Sequence, residues 1–111
     1  MALHPFRVEL DPGRQSVLVK VQGEVDAATA PRMASALDDQ LATGRRVVVD
    51  LSDVDFMDLH GLSVLLRAAR QDGRRFWIAR PSSCVRRLVQ LVHAEGELRI
   101  LPDGTEPPKV A

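Results

Sequence analysis

The side chains able to do chemistry in this chain are an acid-rich run, three histidines, one cysteine and a few hydroxyls. Asp53, Asp55 and Asp58 invite a hard cation, which wants converging oxygen ligands. A calcium loop of the helix-loop-helix kind would also need a glycine at its sharp turn and a closing glutamate, and neither is present. Val54 and Phe56 alternate with the acids, so Ser52 to Asp58 is expected as a loop that turns apolar groups inward and leaves carboxylates in water, with Asp58 as a helix N-cap. His60 falls in the first turn of that helix, whereas neither His4 nor His93 is near enough in sequence to another potential ligand to suggest a metal site; none is expected. Cys84 is alone, which excludes an internal disulfide and a cysteine-based zinc cluster. Gly61-Leu62-Ser63 begins like a nucleophile elbow but lacks its second glycine and lies inside a helix.

Phosphate chemistry fares no better. There is no G-x-x-x-x-G-K-[ST] and no G-x-G-x-x-G, and the only lysines are Lys20 and Lys109. Glu24 and Asp26 imitate the acidic pair of a phosphoacceptor receiver domain, but no lysine follows a late strand. With no nucleophile, base and orienting group at recognisable spacing, the chain is expected not to be an enzyme and to need no cofactor.

These residues must be carried by a small set of elements. Phe6 to Leu10 reads as a strand ended by Asp11-Pro12-Gly13, and the alternation of Val17, Val19 and Val21 makes Ser16 to Gly23 its hairpin partner. Thr29 is placed to cap a helix with Pro31 in its first turn; Ala30, Met33, Ala34, Leu37 and Leu41 form its apolar stripe, and Gly44 stops it. Val47 to Leu51 is the continuous run of a central strand covered on both faces. Leu62, Leu65, Leu66 and Ala69 mark a second helix ending near Gly73. Phe76 to Ala79 is a strand, and Val85, Leu88, Val89 and Val92 mark a third helix begun by Pro81-Ser82-Ser83. Glu97 to Leu101 is expected as a last strand, and Pro102 to Ala111 as a flexible tail. The order β-β-α-β-α-β-α-β predicts an α/β domain over residues 1–101, with a mixed, largely parallel sheet, an N-terminal antiparallel hairpin and interspersed helices. In such a sheet partners meet the loops at the carboxyl ends of strands: Gly23 to Thr29, Ser52 to Gly61 and Arg80 to Ser83.

Composition narrows the partner. The 111 residues carry 15 basic and 15 acidic side chains, so bulk electrostatic attraction to nucleic acid or anionic membrane is missing. Aromatics are only 4%, too few for stacking platforms, and no apolar run approaches the roughly 18 residues of a membrane-spanning helix. Neither direct nucleic-acid binding nor membrane insertion is expected. The zero total hides a division: Asp50 to Asp58 holds four Asp and no base, while Arg67 to Arg87 holds seven Arg and only Asp72. The lone cysteine and an N-terminus without a signal-like apolar core suit the cytoplasm.

Four segments together resemble the STAS domain of anti-sigma factor antagonists: Gly23-Glu24-Val25-Asp26, Ala30-Pro31, the stretch Val47 to Asp58, and Gly61-Leu62. The resemblance implies a STAS-like fold and a partner-switching role, in which the antagonist binds an anti-sigma factor, itself often a serine kinase, and thereby regulates transcription. It places the partner surface at Glu24, Asp26, Thr29, Asp58, Leu59, His60 and Leu62. The family loop usually reads Asp-Ser-Ser-Gly-Leu, with the phosphorylated hydroxyl before the glycine. Here the loop is Asp58-Leu59-His60-Gly61-Leu62, so His60 holds the phosphoacceptor position without a hydroxyl and the chain reads as a non-phosphorylatable variant. Whether Ser63 or His60 is ever phosphorylated, and the oligomeric state, are not legible. Two other roles of such domains stay open: a cytoplasmic subunit of an ABC-type lipid transporter, and a ligand- or nucleotide-sensing module.

Overall fold

In the computed structural model, which describes residues 4–105, the valine alternation builds the sheet as expected. Strand β1 (Arg7–Pro12) pairs antiparallel with β2 (Ser16–Val25), which points Val17, Val19, Val21 and Val25 to one buried face. The chain then runs through helix α1 (Ala30–Leu41), strand β3 (Arg46–Met57), helix α2 (Leu59–Gln71), strand β4 (Phe76–Ala79) and helix α3 (Ser83–Leu91). The sheet order is β1-β2-β3-β4, with β2, β3 and β4 parallel. Helix α1 packs on β2 and β3 and α2 on β3 and β4, covering the face that carries Val17, Val19, Val47, Val49, Phe76 and Ile78. Val48 and Asp50 are buried too, on the opposite face, as a strand covered on both sides requires.

Two expectations are corrected. The segment Ser52 to Met57 is not a loop: it is the second half of β3. Its register against β2 slips twice, between Lys20/Gln22 and Gly23/Glu24, so β3 holds two extra residues there. The two bulges turn the period from two to three, which buries Leu51, Val54 and Met57 and throws Asp53, Asp55 and Phe56 outward. The expected last strand shrinks to a 3₁₀ turn at Glu95–Glu97 and one parallel bridge, Ile78 to Ile100. Residues 102–105, expected as the start of the tail, close a turn in which the Thr105 N–H donates to the Pro102 carbonyl at 3.1 Å. The rest of that tail, 106–111, lies outside the described residues.

Strand β4 reaches only Asp50 of its neighbour, so the second half of β3 has no strand on that side. The start of α3 covers it instead. The Ser82 N–H donates to the Leu51 carbonyl at 3.2 Å and the Cys84 thiol to the Val54 carbonyl at 3.4 Å. Where β4 ends, Arg80 turns with φ of +47° and pairs its guanidinium with the buried carboxylate of Asp50. Burial raises the Asp50 pKa, but hydrogen bonds from Ser52 and the Arg80 charge outweigh it and hold the group below the usual carboxylate range.

Candidate functional site

The carboxyl ends of β2 and β3 finish side by side, with Val25 opposite Met57, and α2 starts directly above them. The Asp58 N–H donates to the Val25 carbonyl at 3.1 Å, which ties the helix start to β2. Asp58 caps α2 as expected: Oδ1 accepts from the His60 N–H at 2.9 Å and the Gly61 N–H at 3.3 Å. Its Oδ2 lies 3.3 Å from Nδ1 of the His60 ring. Partial burial pulls this carboxyl upward, but the Gly61 N–H, the His60 ring and the His60 N–H together leave its pKa below the ordinary value.

Gly61 explains how closely α2 sits. A Cβ there would lie 2.7 Å from Val25 Cγ1 and 2.8 Å from Met57 Cγ, so only glycine lets the first turn rest on the strand ends. This contact pushes Leu59 and His60 out over the rim, where their side chains are 59% and 65% exposed. Ser63 does not join them as a nucleophile, because its hydroxyl donates to the Leu59 carbonyl at 2.7 Å.

Gly23 to Val25, expected as part of a loop, are the last residues of β2, and the Asp26 to Thr29 turn that follows forms the opposite rim. Thr29 stands at the N-cap position of α1, yet its hydroxyl makes no capping bond. It donates instead to the Glu24 carbonyl at 2.7 Å and accepts from the Asp26 N–H at 3.0 Å. Asp26 Oδ1 in turn accepts from the N–H groups of Ala28 and Thr29, at 3.0 and 3.1 Å. Asp26 and Thr29 thus hold the loop in shape, with Glu24 and Asp26 half-exposed beside it.

Leu62 departs from the expected surface. It is 2% exposed, because its place on the apolar stripe of α2 turns it into the core, where it supports the rim from beneath. The third expected loop is also elsewhere. Arg80 to Ser83 leaves the sheet beside Asp50 and Leu51, roughly 20 Å of strand short of Met57 at the usual rise per residue. The acids of β3 are partly engaged within the chain: Asp53 with Lys20 at 3.2 Å, and Asp55 with the His4 N–H at 2.8 Å and ring Nδ1 at 3.0 Å. No three His, Cys, Asp or Glu side chains converge among the described residues. Nor is any helix among them long and apolar enough to cross a membrane.

Sequence reasoning missed Phe56 and Leu91, exposed at 48% and 70%. Phe56 is thrown out by the second bulge, which no pattern announces, while Leu91 lies off the stripe of α3 and was open to notice. Val92, expected on that stripe, is exposed because α3 stops one residue before it.

A family model described as "Mlab, STAS domain" matches residues 8–102. An anti-sigma-B factor antagonist of Staphylococcus aureus (strain NCTC 8325 / PS 47) is 32% identical over 92 residues, covering 79% of this chain and 84% of the relative. Among solved structures, an anti-sigma factor antagonist from Mycobacterium paratuberculosis superposes with a TM-score of 0.80 at 24% identity, over 90% of this chain and 88% of that one. The Bacillus cell fate determinant SpoIIAA in its phosphorylated form gives a TM-score of 0.64 at 18% identity, over 89% and 93% of the two chains. At these identities the two structures speak for the fold alone.

Proposed function

Because this chain belongs to the STAS domain family, we propose that it is a protein-binding module of the anti-sigma factor antagonist kind, whose complex is not dissolved by serine phosphorylation. The observation that carries the reading is the rim at the start of α2. A capped, closely seated helix turn presents Leu59 and His60, where the family loop usually offers hydroxyls. A phosphate at such a position adds a charge of about −1.5 to −2 to a docked surface and expels the partner. Leucine and imidazole cannot be switched by a serine kinase, and Leu59 adds apolar area that a partner can bury. Glu24 and Asp26 supply the acidic side of this surface, Asp58 and Thr29 hold its shape, and Leu62 supports it. The partner is an anti-sigma factor of the serine kinase-like kind, met in the cytoplasm by a single domain spanning residues 1–101, and the role is transcription regulation without catalysis.

The test mixes the purified protein with each kinase-like anti-sigma factor of its source genome, by calorimetry, with and without ATP and magnesium. The expected result is one complex that survives ATP and is lost with Leu59→Asp. Absence of binding to every one of them rejects the antagonist role. Release on ATP addition, with phosphate found on Ser63, rejects the unswitched complex. Capture of a transporter ATPase in place of an anti-sigma factor would give the chain the transporter role.

A further inference from the structure

Beyond the α2 rim, a cleft of about 330 Å³ opens between the end of β3 and α3. Phe56 and Met57 form one wall, and Cys84, Arg87, Leu88 and Leu91 the other. The helical residues fall at i, i+3, i+4 and i+7, so the cleft follows α3 for about two turns, roughly 10 Å. Two of its apolar side chains, Phe56 and Leu91, are largely in solvent. Leu59 follows Phe56 by three residues in the chain.

Charge identifies the occupant. From Ser83 to His93 there is no acidic residue; Arg86, off the cleft, pairs with Asp103 at 3.8 Å, while Arg87 stands on the cleft wall with no carboxylate partner among the described residues. A second copy of this chain docked on the same cleft across a two-fold axis would bring Arg87 towards its own image, which disfavours self-association. An apolar trough of helical spacing with a cationic wall instead fits an amphipathic helix that carries carboxylates beside its apolar stripe.

Resting on the antagonist reading above, we propose that this cleft is a second docking surface, which takes an acidic amphipathic helix of the anti-sigma factor. Two apolar side chains of that helix enter between Phe56 and Leu91, and one carboxylate meets the Arg87 guanidinium in a charge-assisted pair. The α2 rim and the cleft then engage one partner together, and the cleft adds selectivity among anti-sigma factors that differ in this helix.

Calorimetry of the full chain against the anti-sigma factor that binds it tests this, using Leu91→Asp, Arg87→Glu, Arg87→Lys and Leu59→Asp. The three altered side chains, Leu59, Arg87 and Leu91, are exposed, so each variant should melt within a few degrees of the wild type. Leu91→Asp and Arg87→Glu are each expected to weaken binding about tenfold or more, and Arg87→Lys to weaken it less. Unchanged affinity for either Leu91→Asp or Arg87→Glu, with binding still lost in Leu59→Asp, overturns the second surface and leaves the antagonist reading standing. No binding by the wild type removes both. A concentration-dependent dimer of the wild type that Leu91→Asp disperses in sedimentation also overturns it, since the occupant is then a second copy.

Discussion

Replacing Gly61 by alanine should destabilise this domain even though alanine is the better helix former. The added methyl would meet Val25 Cγ1 at 2.7 Å, Met57 Cγ at 2.8 Å and Val25 Cβ at 3.2 Å. Comfortable carbon contacts lie near 3.5–4.0 Å, so α2 must lift by most of an ångström or the two side chains must move. Val25 and Met57 are buried, and neither can swing into water. Overpacking of this kind costs about 1–3 kcal/mol, against a gain of roughly 0.5–1 kcal/mol for alanine over glycine in a helix. The net expectation is a loss of about 1–2 kcal/mol, which lowers Tm by roughly 5–10 °C in a domain of this size. Urea unfolding measures it, with Gly96→Ala as the control, since a Cβ there meets nothing within 4 Å and should shift stability by less than about 0.5 kcal/mol. In a double-mutant cycle, Val25→Ala should relieve part of the Gly61→Ala penalty, with a coupling of at least about 0.5 kcal/mol. A Gly61→Ala protein as stable as the wild type, or more stable, refutes the close seating of α2 and with it the account of why Leu59 and His60 project.

Asp58→Ala removes the acceptor of two backbone N–H groups and should cost about 1 kcal/mol in the same urea assay; no change would mean that water caps the helix equally well. Arg80→Gln leaves the Asp50 carboxylate, 1% exposed, with the Ser52 N–H but no cation, and a loss of about 1–3 kcal/mol is expected at pH 7. Because Arg80 itself is largely exposed, the low end of that range is expected, and an unchanged urea midpoint would contradict the pairing described here. Asp50, Asp58 and Asp72 all have folded-state pKa values below their ordinary 3.8. Their contribution is therefore complete above about pH 5 and is lost as pH falls through the lowered values, so the urea midpoint should drop between pH 5 and pH 2.5. A midpoint that holds or rises over that interval would overturn the sign.

Much of the architecture was legible because it is local. The two-residue alternation of β2, the stripe of α1 and the Asp58 cap each depend on a few neighbouring side chains, and each appears where the sequence puts it. What escaped was set by partners distant in the chain. The bulges of β3 arise only against β2, so Leu51, Val54 and Met57 at a spacing of three look like neither strand nor helix in isolation. Leu62 looked like surface because the family motif includes it, while the 3.6 period of α2 turns it inward. The loop after β4 was grouped with the site because it too lies at the carboxyl end of a strand, but β4 has four residues and β3 twelve, so the two strands end far apart. The candidate surface was half visible: its residues near Leu59 and His60 were named, and the apolar pair Phe56 and Leu91 was not.

The cover that α3 gives to β3 has a consequence for how the protein is made. On the ribosome, Met57 is added before the residues of α3, which begins at Ser83; at about 5–20 residues per second the interval is roughly 1 to 5 s. During that interval the hydrogen-bonding groups of Leu51 and Val54 have no α3 to occupy them, so the nascent chain exposes a strand edge beside Val54, Phe56 and Met57. Asp53 and Asp55 sit within that edge, and repulsion between like-charged chains discourages two nascent copies from pairing there. The carboxylates that first suggested a metal or a partner thus also guard an unfinished sheet.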